Sequence, residues 1–165
     1  MIRFLLVAVL ATAALTPPAL ASPPAPDVPG DIAVAEGNKP YMELHAEGVQ
    51  IYSCNGQAWT LLAPRADLYD DSGRHVGTHS AGPTWQLKDG SATAATRVAG
   101  INVDPSAIDW LLLDATPTAD GRLGETTFIQ RINTTGGRAP AGACEAGSRT
   151  EIPYTADYVF WKPRL

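Results

Sequence analysis

Three histidines, two cysteines and four tryptophans are the residues of this 165-residue chain best suited to chemistry. His75 and His79 stand four apart. On a helix that spacing puts both rings on one face, where a single metal ion reaches them. On a strand they also share a face, but roughly 13 Å apart, too far for one ion. No helical pattern surrounds them, and nothing brings His45 to join them, so no metal is expected. His79-Ser80 offers a base beside a nucleophile. Neighbouring strand residues point to opposite faces, so the two would not pair without a bend. Asp67, Asp70 and Asp71 with Gly73 offer oxygen ligands, but the alternating spacing and distal Glu of a calcium loop are missing, which leaves an acidic turn.

The aromatics carry the strongest binding signal. Trp59, Trp85, Trp110 and Trp161 join Tyr41, Tyr52, Tyr69, Tyr154 and Tyr158. On a β surface such rings stack against sugars and other flat ligands, although their usual work is cross-strand packing. Trp85 stands out, beside Gly82-Pro83 and close to His79 and Asp89. At that turn-rich junction we expect a presented ring rather than a buried one.

Familiar catalytic signatures are missing. The chain has no G-x-G-x-x-G, no G-x-x-x-x-G-K-[ST], no H-E-x-x-H and no G-x-S-x-G. The sequence-readable routes to dinucleotides, nucleotides, zincin chemistry and the α/β-hydrolase elbow are therefore closed, and no cofactor is expected.

The elements that must position these residues are strands. Gly and Pro recur too often to leave helix-length windows. Short alternating runs lie between turn signals instead. Val49 to Ser53 puts Val49, Ile51 and Ser53 on one face, Gln50 and Tyr52 on the other. Further runs are Ala58 to Ala63, Ala66 to Tyr69, Thr84 to Leu87, Ala92 to Val98, Trp110 to Leu113, Thr126 to Ile132 and Tyr154 to Trp161. In the last, Tyr154, Tyr158 and Phe160 share a face. Asp89-Gly90 is a hairpin turn signal, and Asp71-Ser72-Gly73 is another turn. Pro105 to Asp109 could form one helical turn. Asn133 to Pro140 lacks a hydrophobic period and reads as a long exposed loop; its Asn-Thr-Thr match to a glycosylation sequon is taken as coincidence. The expected fold is all-β, a single-domain antiparallel sandwich or barrel with long loops.

The domain layout is read from the ends inward. Residues 1–21 have the layout of a secretory signal peptide: Arg3, an apolar run from Phe4 to Leu15, and Ala19-Leu20-Ala21 before the cleavage point near Ala21-Ser22. The run is too short to span a bilayer. Residues 22–30, with Pro23, Pro24, Pro26 and Pro29, read as an extended leader. Residues 31–165 form the β domain. The expected destination is the periplasm or the exterior, with no membrane span in the mature chain. In such a compartment Cys54 and Cys144 pair, closing a long loop. No C-x-x-C exists for thiol exchange.

Composition supports one globular domain: 45% hydrophobic, 18% charged, 15 Gly and 14 Pro. With 12 basic and 17 acidic residues the net charge is −5, which argues against a nucleic-acid partner. Oligomeric state is not legible.

From Gly48 to Phe160 the chain resembles the domain of unknown function 3455 family, secreted proteins of bacteria and fungi. The resemblance is carried by Gly48-Val49-Gln50-Ile51-Tyr52-Ser53-Cys54, Ala63-Pro64, Ala66-Asp67-Leu68, Gly77-Thr78-His79, Gly82-Pro83-Thr84-Trp85 and Asp89-Gly90-Ser91. Trp110-Leu111-Leu112, Ile129-Gln130-Arg131, Gly136-Gly137, Cys144 and Pro153-Tyr154-Thr155-Ala156-Asp157-Tyr158 complete it. Asp109 departs from the proline expected before the tryptophan. The resemblance implies a signal peptide, a β-rich domain and paired cysteines, and no reaction. Some relatives carry a malate dehydrogenase label; this chain has neither the fingerprint nor the length for it. Within those motifs His79, Trp85, Asp89, Gln130 and Arg131 are the site candidates. The leading expectation is a binding or surface-associated module for a carbohydrate or cell-envelope component. The alternatives are a secreted hydrolase using His79 with Asp89 or Arg131, and a structural extracellular protein.

Overall fold

The computed structural model describes residues 22–165, so the signal-peptide reading of residues 1–21 lies outside the described residues. Eight antiparallel strands follow one another around a closed barrel: β1 (Asn38–Cys54), β2 (Trp59–Tyr69), β3 (His75–Ser80), β4 (Thr84–Leu87), β5 (Ala92–Ile101), β6 (Trp110–Ala119), β7 (Phe128–Gly136) and β8 (Arg149–Pro163). Each strand pairs with its sequence neighbours, and β1 pairs with β8 to close the ring. Of the two expected architectures the barrel is the one formed. Closure removes the sheet edges that an open meander would expose.

Period-two alternation sorts the side chains. On β1, Met42, Leu44 and Ala46 are buried, while Glu43 is half-buried and His45 and Glu47 are exposed. On β8, Tyr154, Ala156, Tyr158 and Phe160 enter the same interior cluster. Gly48 has no side chain because β2 passes too close: a Cβ there would collide with Arg65 and Ala66 backbone atoms. Outside, Arg65 donates both guanidinium nitrogens to Glu151, at 3.0 and 2.7 Å. An apolar interior with charges outside is the reverse of a transmembrane barrel, which turns its apolar band outward. Among the described residues no helix is long and apolar enough to cross a membrane.

One end is sealed. The β6–β7 connection folds over it and drives Leu123, fully buried, into the interior cluster. The strand lengths open the wall elsewhere. β3 and β4 have six and four residues, between neighbours of eleven and ten. β2 pairs with β3 only from Ala66 onward, and β5 pairs with β4 only from Ala92 to Ala94. Residues 59–65 of β2 and 95–101 of β5 therefore flank a window above the short hairpin. Pro64 sits in that stretch, where β2 has β1 on one side and no strand on the other, so its missing N–H is tolerated.

Three expectations need correction. The Ala58–Ala63 and Ala66–Tyr69 runs are one strand through Pro64. Asn133 to Gly136 is not loop but the end of β7, held by Thr134 Oγ1 donating to the Ile108 carbonyl at 2.6 Å and by the Thr135–Thr155 hydroxyl pair at 2.7 Å. Polar partners replace the hydrophobic period there. Pro105 to Asp109 forms turns rather than helix. Val28, Ile32 and Val34 pack on a second apolar cluster of Leu112, Ile132, Val159 and Trp161, around the short 3-10 turn Gly30–Ile32.

Cys54 and Cys144 form a disulfide, with Cα atoms 5.9 Å apart. It ties the end of β1 to the β7–β8 connection.

Candidate functional site

The window leads into a cavity of about 540 Å³ inside the barrel. Leu61, Leu62, Ala63 and Pro64 of β2 form one side, Gly82 and Pro83 the hairpin rim, and Ala95, Thr96 and Arg97 of β5 the other side. Leu111, Leu113, Gln50, Arg131 and the trio His79, Trp85 and Tyr158 line the interior. Leu61 and Leu62 are 55% and 51% exposed, large apolar side chains left in water at the rim.

The trio is built by register. His79 stands directly opposite Trp85 on the β3–β4 hairpin, both pointing inward. Their rings stack at 4.1 Å between centroids, and Tyr158 of β8 meets them edge-on at 5.1 and 5.3 Å. Trp85 is 1% exposed and His79 3%. The expected presented tryptophan is thus an interior one, because Trp85 and Leu87 alternate with Gln86 and occupy the lumen face of β4. Trp161 is buried as well, and Trp59 and Trp110 are half-buried, so no exposed aromatic platform exists among the described residues.

The polar groups in this cavity are incompletely used. Trp85 Nε1 is buried with no hydrogen-bond partner. Such an orphan donor is uncommon in a native fold, where buried donors are nearly always paired. His79 Nδ1 lies 3.0 Å from the Thr84 carbonyl oxygen, which can only accept, so Nδ1 carries the proton and Nε2 the lone pair. Burial holds the His79 pKa down at about 3, with the Arg131 charge acting in the same direction. The ring is neutral at ordinary pH. Burial likewise raises the Tyr158 pKa. Gln50, 2% exposed, brings an amide to the same cavity.

Arg131 donates Nε and Nη2 to the Asp109 carbonyl, at 3.0 and 2.8 Å. No carboxylate pairs with it among the described residues; the Asp109 carboxylate is shared by Arg97 and Asn102 instead. A smaller recess of about 210 Å³, lined by Tyr52, Ile108, Asp109, Arg131, Arg138 and Ala139, adjoins the main cavity through Arg131.

The five candidates separate. His79, Trp85 and Arg131 share the cavity. Asp89 does not. It lies past the end of β4, in the β4–β5 turn at the sealed end. There its carboxylate accepts from Ser91 N and Oγ and, at 3.2 Å, from Arg122 N, which anchors the sealing connection. These hydrogen bonds, Ser91's first, lower its pKa. Gln130 faces outward, as the neighbour of inward Arg131 must. It donates to the Ile32 carbonyl at 2.7 Å and accepts from Trp161 Nε1 at 2.9 Å, clamping the N-terminal segment onto the barrel. The site residues not singled out from sequence are Gln50, Tyr158 and the rim leucines. The alternation of Gln50 with Ile51 and of Tyr158 with Val159 already placed them on definite faces, but nothing local said which face was the lumen.

Chemically the cavity can bind and is poorly equipped to react. Its wall holds no Asp, Glu, Ser or Cys. A histidine with a pKa near 3 is a weak general base at neutral pH. No group of three His, Cys, Asp or Glu able to hold a metal occurs among the described residues.

No curated protein and no solved structure matches the chain. A family model described as a protein of unknown function (DUF3455) matches residues 35–162, which run from just before β1 to the end of β8. The chain belongs to that family.

Proposed function

We propose that this protein is an exported barrel that binds a small, mostly apolar molecule inside its lumen. The observation that carries the reading is the 540 Å³ cavity, opened by the β2–β5 window and lined largely by apolar side chains. Eight-stranded up-and-down barrels have room for one small ligand, and pockets of this size with few polar groups are ordinary ligand sites. Leucine, alanine and proline dominate the wall, which favours an apolar envelope component over a sugar. A sugar's many hydroxyls would find too few partners there. The hydrolase alternative is less supported, because His79 and Asp89 stand at different levels of the barrel and no carboxylate lines the cavity to assist His79. Export is supported by the disulfide and by the signal-like residues 1–21.

The test fills the cavity. Ala95 is buried at its wall. Decanol, titrated against intrinsic tryptophan fluorescence, is expected to saturate a single site. Ala95→Phe is expected to weaken that binding at least tenfold while lowering the melting temperature by only a few degrees, since the added ring enters empty space. Unchanged decanol affinity in a folded Ala95→Phe protein would count against the lumen as the site.

A further inference from the structure

We propose that the lumen selects a carboxylate-bearing amphiphile, and that Arg131 holds the carboxylate. This rests on the lumen-binding reading and goes beyond it by naming the ligand's chemical class. Arg131 is a half-buried cation in the wall of a largely apolar cavity. Burying a charge without a counter-ion is costly, yet no carboxylate of the protein pairs with it among the described residues.

Its position is fixed rather than wandering. Nε and Nη2 are spent on the Asp109 carbonyl, a neutral group that orients the guanidinium and leaves its positive charge in place. The neighbour of Arg131 in the cavity wall is the Tyr158 hydroxyl, a neutral group that likewise leaves the positive charge in place. Charge-assisted bonds from a guanidinium to a carboxylate are among the stronger polar contacts available. Gln50 adds an amide in the same cavity. Among the described residues no acidic side chain lines the main cavity; the Asp109 carboxylate, in the adjoining recess, is held by Arg97 at 3.4 Å and by Asn102 at 3.2 Å.

Size sets the tail. At roughly 30 Å³ per non-hydrogen atom, the share a water molecule takes in the liquid, 540 Å³ admits up to about eighteen such atoms. Decanoate is short enough to enter, with its chain along Leu111 and Leu113. Rim residues Leu61 and Leu62 would cover the chain end.

Decanoate and decanol have the same chain length and differ at the head group. Both are titrated into the full mature protein at pH 7.5 by calorimetry. Decanoate is expected to bind at least tenfold more tightly than decanol. In Arg131→Met, the preference for decanoate over decanol is expected to disappear. Arg131→Lys is expected to recover part of the difference, because it keeps the charge and loses the fork. Melting curves verify that each variant is folded. If the wild-type protein binds both molecules equally, acid selection fails while lumen binding stands. If it binds neither, the lumen-binding reading fails with it. If decanoate is preferred equally in wild type and folded Arg131→Met, the carboxylate sits elsewhere and Arg131 loses its role.

Discussion

Replacing both cysteines with serine is expected to lower the melting temperature by about 10–15 °C. The disulfide closes a loop of 90 residues. In the chain-entropy model that constrains the unfolded chain by roughly 4–5 kcal/mol, and a domain of this length shifts by about 2–4 °C per kcal/mol. The location adds a local effect. Cys144 lies in the β7–β8 connection, which has no strand of its own between Gly136 and Arg149. Only short hydrogen bonds such as Cys54 N to Ser148 O and Gly147 N to Cys54 O otherwise pin it to β1. Circular dichroism melts of the Cys54→Ser, Cys144→Ser protein beside wild type measure the shift. A change under about 3 °C, no more than about one kcal/mol delivers at this size, would mean that residual structure already restrains the unfolded chain.

Mild acid is expected to destabilise the protein through His79. The folded-state pKa lies near 3, chiefly because burial penalises the charged ring. In the unfolded chain a histidine titrates near 6.5. Between those values the unfolded state binds a proton that the native state refuses, so stability is complete above about pH 6.5 and declines toward pH 3, by about 1.4 kcal/mol per unit. The groups facing His79 agree in sign or do not interfere. Arg131 disfavours protonation, Tyr158 is neutral throughout this range, and no carboxylate lines the cavity. The depressed carboxylates Asp70, Asp89 and Asp104 also lose stability in acid, but their loss begins only near the ordinary aspartate pKa of about 3.9. The two windows therefore separate. Urea denaturation at pH 7.5, 6.0 and 4.5 should show a fall of roughly 2–3 kcal/mol in wild type over this window. His79→Phe, which keeps a flat ring against Trp85, should be nearly level over the same range. Parallel profiles in the two proteins would remove His79 as the cause.

Much of the barrel was legible because alternation is a local property. Val49 to Ser53 and Tyr154 to Trp161 announce two-faced strands without any knowledge of their partners. What closes the barrel was not legible. β1 and β8 meet across more than a hundred residues, as in His45 opposite Asp157, and no spacing within either strand encodes that pairing. The same gap explains the misjudged Trp85. Gly82-Pro83 marks a turn, and turns lie at surfaces, but the hairpin is shorter than the strands beside it and its tip lies within the barrel wall. The Trp85-Gln86-Leu87 alternation was the better guide. Gln130 and Arg131 were proposed together although adjacent strand residues must face apart. The structure gives one to the leader clamp and the other to the lumen. The window depends on comparing strand lengths across β2 to β5, which only the paired registers reveal.

The claim that the lumen is a binding site is tested most directly at the Trp85 indole. Four tryptophans give four indole N–H resonances in a nitrogen-15 spectrum. Trp161 is bonded to Gln130 outside the lumen, and Trp59 and Trp110 do not line the cavity. Titration with decanol is predicted to move the Trp85 resonance to saturation and leave the other three nearly in place. Saturable binding that moves Trp59 or Trp110 while Trp85 stays fixed would contradict a ligand in the barrel.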